Sequence, residues 1–496
     1  MKILMAASEV EPFSKTGGLA DILGALPPQL ASRGHQVNVV SPFYRSVQLS
    51  EPAVWADNLS ITLGPDAHVV RVLTVANDGV TYYFVDYPPF FGRDGFYGTP
   101  AGDYADNAYR FLLFSKAVIE IARVTSPDVI HCHDWQTGLV PALLKTAHAA
   151  DPVVGGVPVV FTIHNLGYQG SFDASLMGPL GLPAGLMSVD GLEFYGRLNY
   201  LKGGLVFADA LTTVSEAYAR EIQTPEFGAG LDGLLAWRGS VLTGILNGVN
   251  YESWDPRTDR LIAANYSADN LEAKQACKRD LIDTFGITSG PDRPLIGMVS
   301  RLATQKGSDL VGVAAQDLMA MDISITVLGA GDAVYVDLFR SLEQRFPGRF
   351  AMKVAYDETL AHKVEAGADM FLMPSRYEPC GLNQMYSLRY GTPPVVRATG
   401  GLDDTIEPYD PATGKGNGFK FREYTAPAML AAVRAALDVY QNRAQWRQLM
   451  KNGMAQDFSW ARAVPKYEQI YQRVLRPVGA GAPEASGSAS KKDLLT

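Results

Sequence analysis

Short apolar runs alternate with amphipathic stretches of helical spacing along nearly the whole chain. The first run covers residues 3–7 and precedes a helical stretch, and the same order recurs through the first half of the sequence. Strands that alternate with helices form parallel sheets covered by helices on both faces. We predict one such sheet, with strands at residues 3–7, 36–41, 81–85, 128–132, 157–163, 210–214 and 243–246.

The same alternation begins again in the second half of the chain. Residues 247–256 separate the two halves and are rich in turn-forming Asn, Gly, Ser and Pro, which is typical of a domain connection. Two doubly wound α/β domains are the simplest explanation of a pattern that stops and restarts. The strands predicted for the second sheet are residues 294–299, 323–328, 350–355, 369–373 and 393–396.

Composition limits the class of protein. The chain has 496 residues, of which 47% are hydrophobic, which is enough for two or three domains with their own cores. A formal net charge of -9 does not suit nucleic acid or an anionic membrane, so an anionic ligand would need a local group of cations. Residues 477–496 are rich in Gly, Ala, Ser and Lys, and we predict a disordered tail there.

Three cysteines, Cys132, Cys277 and Cys380, are too few and odd in number for a disulfide framework, which indicates a reducing compartment. The first nine residues lack the apolar length of a signal peptide. No segment offers the roughly 18 apolar residues in a row that a membrane span requires. We therefore expect a cytoplasmic protein.

Polar side chains follow the first predicted strand, at the edge where open α/β sheets bind ligands. Lys15, Gly17 and Gly18 precede a helix, so an ammonium group and accessible backbone amides lie near a helix N-terminus. This arrangement suits a phosphate group. It lacks the order of a Walker A loop, and a flexible turn with an exposed lysine explains the same residues about equally well.

The second predicted sheet has cations in a similar place. Arg301 and Lys306 follow the strand at residues 294–299, and they suit a diphosphate because a guanidinium binds bidentately and an ammonium adds a second charge. As an isolated pair they would more often be surface residues. Glu378 follows the strand at residues 369–373 and is either part of a site or a cap of the next helix.

Two other strand ends carry histidines and polar side chains. His131 and His133 lie on one side of a strand, which suggests a metal site, but no second His or Cys cluster completes it. Asp134 and Trp135 suit a sugar better, although a Trp135 packed under a helix is nearly as good an explanation. His164 is either a neutral core residue or a ligand contact.

Six separated motifs together resemble the bacterial glycogen synthases and plant starch synthases. They agree with that family in order and spacing from residue 1 to about residue 475. The motifs are residues 15–21 (KTGGLAD), 131–136 (HCHDWQ), 162–165 (TIHN), 246–249 (LNGV), 300–302 with 305–307 (SRL and QKG), and 374–382 (PSRYEPCGL).

The resemblance implies a GT-B fold, in which two Rossmann-like domains face a deep interdomain cleft. The N-terminal domain, on the acceptor side, would comprise residues 1–248 and a C-terminal helix at about residues 458–476. The C-terminal domain, on the nucleotide-sugar side, would comprise residues 249–457. The implied activity is that of a retaining hexosyltransferase, which transfers glucose from ADP-glucose to the non-reducing end of an α-1,4-glucan such as glycogen and releases ADP.

The resemblance also assigns roles to single residues through the motifs. The catalytic group would be Glu378 close to the transferred sugar, Arg301 and Lys306 on the diphosphate, and His164 against the glucosyl ring. The acceptor or transferred sugar would contact Asp134, Trp135, Asn165 and Tyr97. The nucleotide sugar would contact Lys15, Gly17, Gly18, Asp21, Asn247, Cys380, Gly381, Leu382 and Tyr356, the last covering the adenine.

The residue at one position argues against a mechanism that needs two carboxylates. Many retaining GT-B enzymes carry a second glutamate eight positions after the first, and here Tyr386 occupies that position, as in the glycogen synthase type. A nucleoside diphosphate leaves readily, so the protein mainly has to neutralise charge on the departing phosphate. Lys15, Arg301 and Lys306 would do this without a metal ion or other cofactor once domain closure brings them together.

Three other functions fit parts of the sequence. A phosphorylase of similar architecture would need pyridoxal phosphate bound to a lysine. A nicotinamide oxidoreductase is disfavoured because residues 328–332 contain Gly-x-Gly and Val334 replaces the third glycine of the fingerprint. A non-catalytic glucan-binding protein would have no need of Glu378, Arg301 and Lys306. The choice between ADP-glucose and UDP-glucose does not follow from these residues.

Overall fold

The computed structural model describes residues 1–99 and 101–476, and the predicted disordered tail lies outside the described residues. The chain forms two compact units. The first consists of Met1–Val214, Ala219–Ile245 and the described residues from 460 to 476, and the second of Ser215–Tyr218 and Leu246–Ser459. The assignment of an acceptor side and a nucleotide-sugar side to the two domains stays a prediction.

The first unit contains one large sheet and two small ones. Its strands are β1 (Lys2–Ala6), β2 (Gln36–Pro42), β3 (Ala53–Leu63), β4 (Asp66–Asn77), β5 (Val80–Asp86), β6 (Gly98–Thr99), β7 (Gly102–Asp103), β8 (Val129–His133), β9 (Val159–Ile163), β10 (Ser171–Asp173), β11 (Glu193–Phe194), β12 (Arg197–Asn199), β13 (Ala210–Thr213) and β14 (Leu242–Gly244). The large sheet has the order β14-β13-β9-β8-β1-β2-β5-β4-β3, and the small sheets are β10-β12-β11 and β6-β7.

The strands from β14 to β5 in this order run parallel, whereas β4 and β3 extend the sheet in antiparallel fashion. Every strand predicted for the first half is present, and each belongs to the parallel part. These strands are buried on both faces, so their sequences read as continuous apolar runs. The long β3–β4 hairpin was not predicted, because most of its residues are exposed or half-buried and give no such run.

Helices of the first unit cover the sheet. They are α1 (Gly18–Ser32), α2 (Pro88–Phe91), α3 (Asn107–Thr125), α4 (Leu139–Leu144), α5 (Met177–Leu180), α6 (Tyr200–Phe207), α8 (Asp232–Trp237) and, crossing from the second unit to the first, α7 (Glu216–Glu221). Four single turns of 3-10 helix lie at Trp135–Thr137, Ala174–Leu176, Ala184–Leu186 and Gly239–Val241.

The second unit is a purely parallel sheet with helices. Its strands are β15 (Leu295–Val299), β16 (Ser324–Leu328), β17 (Phe350–Lys353), β18 (Met370–Met373), β19 (Pro394–Arg397) and β20 (Phe419–Phe421), in the order β17-β16-β15-β18-β19-β20. Its helices are α9 (Lys274–Phe285), α10 (Ser308–Ala320), α11 (Ala333–Arg345), α12 (Glu358–Gly367), α13 (Asn383–Arg389), α14 (Gly400–Thr405), α15 (Ala426–Gln441) and α16 (Arg443–Met454), with 3-10 turns at Leu271–Ala273 and Thr304–Lys306.

The core of the second unit lies on both faces of its sheet. Successive strand residues point to opposite faces, and accordingly Ile296 and Met298 belong to one apolar cluster whereas Leu295 belongs to another. The five strands predicted for this half are confirmed. Only the three-residue edge strand β20 was not predicted, because so short a segment carries little periodic signal.

The last described helix, α17 (Trp460–Leu475), belongs to the first unit. Its apolar residues recur at helical spacing and include Val464, Tyr467 and Tyr471, which are fully or almost fully buried. The helix packs against α1 and β9. Within the part of the chain that the structure describes, no helix has both the length and the apolar character needed to cross a membrane.

Candidate functional site

In the second unit, a lysine and a glutamate meet at the carboxyl ends of two neighbouring strands, β15 and β18. Lys306 ends the 3-10 turn that follows β15, and its Nζ donates to Glu378 Oε1 at 2.8 Å and Oε2 at 2.6 Å. The Ser375 hydroxyl donates to Glu378 Oε2 at 3.0 Å. The Glu378 side chain is only 6% exposed, against 22% for Lys306. The structure therefore joins two of the predicted catalytic residues in one ion pair.

This ion pair borders a cavity of about 160 Å³. Arg301 also lines it, and its guanidinium donates to Gln305 Oε1 at 3.1 Å. Gly381 and Leu382, predicted to bind the nucleotide sugar, line the same cavity. Two cations and one carboxylate thus surround a space at the ligand-binding edge of the sheet.

The backbone around Glu378 is fixed by close contacts with two glycines of positive φ. Gly307 has φ +78°, and a Cβ there would lie 2.2 Å from the carbonyl oxygen of Pro374. Gly400 has φ +46°, and a Cβ there would lie 1.9 Å from the carbonyl oxygen of Glu378 itself. Because neither contact tolerates a side chain, these glycines hold the loop that carries the carboxylate.

Two more predicted nucleotide-sugar residues lie together in the second unit. The backbone and side chain of Asn247 hydrogen-bond the sulfur of Cys380, and burial raises the pKa of this thiol to about 12. Cys380 is therefore a neutral, buried thiol. The buried Oδ1 of Asn247 has no hydrogen-bond partner among the described residues. Tyr356, by contrast, is 82% exposed beyond β17, two strands from β15 in the sheet, and its contact with adenine stays a prediction.

In the first unit, the ends of β9, β8 and β1 are adjacent in the sheet and carry several predicted residues. Asp134 follows β8 with φ +56° and ψ -179°, a region that only glycine adopts readily and that costs roughly 1–3 kcal/mol for other residues. Its Oδ1 accepts the backbone N–H of His164 at 2.7 Å, and the Asn165 backbone donates to the carboxylate as well. Burial raises the pKa of Asp134 to about 7, although these two N–H groups oppose the shift.

The rings of the three histidines at these strand ends lie side by side, but the histidines have different hydrogen-bond partners. His133 Nδ1 and His164 Nε2 are 2.9 Å apart, so one ring donates and the other accepts. His131 bonds instead to the hydroxyls of Tyr471 at 2.8 Å and Thr162 at 2.6 Å. Burial lowers the pKa of His131 and of His164 to about 3, and both are neutral at pH 7.

His131 is thus a hydrogen-bonded core residue, which is the commoner role for a buried histidine. Among the described residues, no group of three or more His, Cys, Asp or Glu side chains is placed to hold a metal ion.

Lys15, predicted to bind phosphate, lies between two carboxylates. Its Nζ is 2.7 Å from Asp21 Oδ1 and 3.1 Å from Glu11 Oε2. Burial lowers the pKa of Lys15, but Asp21 and Glu11 outweigh it and raise that pKa above its ordinary value. Apart from the adjoining backbone, no atom of the described residues lies within 4 Å of a Cβ built on Gly17 or Gly18, so there is free space beside the chain at the start of α1.

The remaining predicted contacts of the first unit differ in their surroundings. Tyr97 donates its hydroxyl to Glu9 Oε1 at 2.6 Å, and the Thr16 hydroxyl donates to the same oxygen at 2.7 Å. Trp135 is buried, with its ring centroid 4.8 Å from that of Phe111. This is the packing expected of a structural tryptophan, so its contact with sugar stays a prediction.

Sequence reasoning did not identify Glu9 and Ser375. Glu9 is a buried carboxylate that accepts three hydrogen bonds, one from the Tyr97 hydroxyl and two from the backbone N–H and the hydroxyl of Thr16. The Ser375 hydroxyl donates to the carboxylate of Glu378. The available signal was position, because both residues come shortly after a buried strand, where polar side chains at the ligand edge are expected.

Comparisons with known proteins identify the family. Residues 2–237 match the model of the starch synthase catalytic domain, and residues 283–452 match that of the glycosyl transferases group 1. A glycogen synthase of Koribacter versatilis (strain Ellin345) is 53% identical over 475 residues, which cover 95% of this chain and 98% of that protein. This chain belongs to the glycogen and starch synthase family.

Other members of the family agree. A glycogen synthase of Anaeromyxobacter sp. (strain Fw109-5) is 50% identical over 493 residues, which cover 96% of this chain and 100% of that protein. The solved catalytic domain of Starch Synthase IV from Arabidopsis thaliana, bound to ADP and acarbose, has a TM-score of 0.87 and 32% identity, covering 96% of this chain and 99% of that one.

A more distant structure is that of sucrose-phosphate synthase from Thermosynechococcus elongatus, with a TM-score of 0.60 and 17% identity. The match covers 95% of this chain and 98% of that one, and at this identity it supports only the fold. The predictions of a GT-B fold and of a retaining glycosyltransferase of the glycogen synthase type are confirmed. The roles of the single residues were predicted from family motifs and stay predictions.

Proposed function

We propose that this member of the family transfers glucose from ADP-glucose to the non-reducing end of an α-1,4-glucan, with retention at the anomeric carbon and release of ADP. The observation that carries the proposal is the Lys306–Glu378 ion pair beside the Arg301-lined cavity at the ends of β15 and β18. Such a site offers cations to a diphosphate and a carboxylate to a sugar.

The cations act on the leaving group in this proposal. When the bond between the anomeric carbon and the diphosphate oxygen breaks, negative charge accumulates on ADP and the sugar becomes oxocarbenium-like. Arg301 and Lys306 stabilise that charge, and in the first unit Lys15 and the open amides at the start of α1 bind phosphate oxygens. No metal ion or other cofactor is part of the proposal, so EDTA should leave the activity unchanged.

Glu378 has two functions in this proposal. It holds Lys306, and it accepts a hydroxyl of the transferred sugar. A carboxylate oxygen accepts about two hydrogen bonds. Oε2 already accepts from Lys306 and Ser375, whereas Oε1 accepts only from Lys306 among the described residues. Oε1 is therefore the oxygen that we assign to the sugar hydroxyl.

His164 and Asp134 contact the sugar from the first unit in this proposal. A neutral His164 forms a hydrogen bond with a sugar hydroxyl without placing positive charge beside an oxocarbenium-like ring. The strained backbone of Asp134 holds its carboxylate next to the His164 amide, which fixes the loop that carries both His164 and Asn165.

The test is nucleotide release from ADP-glucose and from UDP-glucose, each with and without glycogen. We expect ADP release that depends on glycogen and on ADP-glucose, with radiolabelled glucose incorporated into the polymer. Glycogen binding without nucleotide release would refute the proposal in favour of a non-catalytic glucan-binding protein. Faster release from UDP-glucose would refute the assigned donor.

We also propose that the protein works in the cytoplasm. Its three cysteines, Cys132, Cys277 and Cys380, are all free thiols and all buried, which suits a reducing compartment. Fractionation of cells with an antibody against the protein tests this location.

A further inference from the structure

The tip of one small hairpin in the first unit carries an exposed aromatic residue. Strands β11 and β12 are antiparallel and are joined by Tyr195 and Gly196 alone. These two residues have φ +49° and +74°, as in a type I′ turn. The first position of this turn favours Asn, Asp or Gly, because a larger side chain is strained there. Tyr195 is nevertheless 81% exposed, so its ring is not required by the protein core.

A second hairpin of the same unit shows what the turn itself requires. Strands β4 and β5 are joined by Asp78 and Gly79, with φ +50° and +75°. The two turns therefore have nearly the same backbone angles, and the β4–β5 turn carries an aspartate, a residue type that favours them. A tyrosine at the first position of the other turn costs stability and brings no burial in return.

The Tyr195 ring is mostly exposed to water, but it contacts two neighbouring groups. The Phe194 ring contacts it edge-on, with centroids 4.7 Å apart and an interplanar angle of 73°. A Cβ built on Gly230 would lie 3.0 Å from Phe194 Cζ and 3.3 Å from Tyr195 Cε2, so the backbone of this neighbouring loop also lies against the rings. The carbonyl of Ala229 accepts a hydrogen bond from Gln169 Nε2 at 3.1 Å, which ties that loop to the segment after β9.

The base of the hairpin is joined to the loop that carries Asn165, one of the predicted sugar contacts. The backbone N–H of Tyr200, directly after β12, donates to the Gly170 carbonyl at 3.1 Å, and Gly170 belongs to the loop that begins with His164 and Asn165. From Asn199 at the base to Tyr195 at the tip is four residues, or about 13 Å at roughly 3.3 Å per strand residue. A glucan that contacts both the base of the hairpin and Tyr195 must therefore span about this length.

We propose that Tyr195 is a stacking platform for the α-1,4-glucan chain of the acceptor, several glucose units away from the end that reacts. This inference rests on the proposed function. An exposed aromatic ring that rests against Phe194 and Gly230 suits the apolar face of a sugar ring, and its hydroxyl can bond to sugar hydroxyls. The benefit of binding the chain explains why the strained turn carries tyrosine.

The test compares Tyr195→Ala, Tyr195→Asn and Tyr195→Trp with the wild type, and Asp78→Ala serves as the matched control at the other hairpin. We measure KM for glycogen, maltotriose and ADP-glucose, retardation in native gels that contain glycogen, and Tm. We expect Tyr195→Ala and Tyr195→Asn to raise KM for glycogen about 3- to 10-fold and to reduce retardation. KM for maltotriose and ADP-glucose should not change.

The other variants sharpen the result. Tyr195→Asn should also raise Tm because asparagine adopts this backbone more easily, so that stability rises while glucan binding falls. Tyr195→Trp should keep the wild-type KM for glycogen, and Asp78→Ala should leave every KM unchanged. Equal retardation and equal KM for glycogen in Tyr195→Ala and the wild type would overturn the inference.

Two further results would also overturn it. A parallel rise in the KM for maltotriose would indicate general damage, and a change in sedimentation coefficient would indicate that the ring joins two copies of the chain. The gel assay needs no turnover, so it separates this inference from the proposed function. A wild type that releases no ADP would refute the function, whereas Tyr195-dependent retardation would still measure the glucan platform.

Discussion

The Lys306–Glu378 ion pair predicts a specific pattern in a double-mutant cycle. In the wild type the Glu378 side chain is only 6% exposed, and in Lys306→Ala its carboxylate keeps only Ser375 as a hydrogen-bond donor among the described contacts. Removal of one partner of a fully buried pair costs about 3–5 kcal/mol. Because the Lys306 side chain is 22% exposed, we expect a smaller loss of unfolding free energy, about 2–3 kcal/mol.

Glu378→Gln should destabilise as well, because it leaves the Lys306 ammonium beside an amide. In the double variant neither charge remains, so its loss of stability should be smaller than the sum of the two single losses. We expect a coupling free energy of about 1–3 kcal/mol, which is typical of residues in direct contact.

The catalytic activity of these variants should not follow their stability. Lys306→Ala should lower kcat about 10²- to 10³-fold, and Glu378→Gln in the same chain should not restore it, because the diphosphate still lacks its cation.

Urea denaturation measures the stabilities, and initial rates of ADP release measure kcat. Lys363→Ala is the matched control, since Lys363 also pairs with a carboxylate, that of Asp280 at 3.0 Å, and its side chain is 24% exposed. It does not line the cavity, so we expect a stability loss below about 1 kcal/mol and an unchanged kcat. Additive stability losses would show that the ion pair does not form in solution. Unchanged turnover in Lys306→Ala would refute its role on the phosphate.

Three further variants test other parts of the structure. Gly307→Ala should cost about 1–3 kcal/mol of unfolding free energy, because its Cβ would lie 2.2 Å from the Pro374 carbonyl oxygen. Gly286→Ala should cost less in the same urea experiment, because Gly286 has a similar φ but no neighbouring group of the described chain lies within 4 Å of the added Cβ. Unfolded histidine binds a proton below about pH 6.5, whereas the pKa of folded His131 is about 3. The unfolding free energy should therefore fall as the pH drops below 6.5, and His131→Gln should flatten that fall by about 1.4 kcal/mol per pH unit. Burial raises the pKa of Asp134 to about 7 from an unfolded value of about 3.9, so its ionisation destabilises the fold as the pH rises through this range. The unfolding free energy of Asp134→Asn minus that of the wild type should therefore be larger at pH 8 than at pH 4. An equal difference at both pH values would contradict the raised pKa of Asp134.

The sequence predicted the parallel strands well because they are buried on both faces and leave continuous apolar runs. It did not predict β3 and β4, whose exposed residues interrupt that signal. It also predicted which side chains lie at strand ends, such as Lys306 and Glu378, since strand polarity fixes that edge of a parallel sheet.

The partners of those side chains were harder to predict. Glu378 is 72 residues from Lys306 along the chain, and no local spacing indicates that they meet. The phosphate contact of Lys15 stays a prediction, and its two carboxylate neighbours in the structure, Asp21 and Glu11, were not predicted as its partners. The strain at Asp134 depends on backbone angles set by the surrounding fold, and a sequence pattern does not report them.

The last helix has a consequence for how the protein is made. Tyr471 and Glu468 of α17 bond to His131 and Arg33, so the first unit is assembled from the earliest and the latest parts of the described chain. A ribosome must therefore synthesise the whole second unit before the first can be completed. During that interval the surface of α1 and β9 that α17 covers is exposed on the nascent chain, where it offers an apolar binding site to chaperones and a route to aggregation.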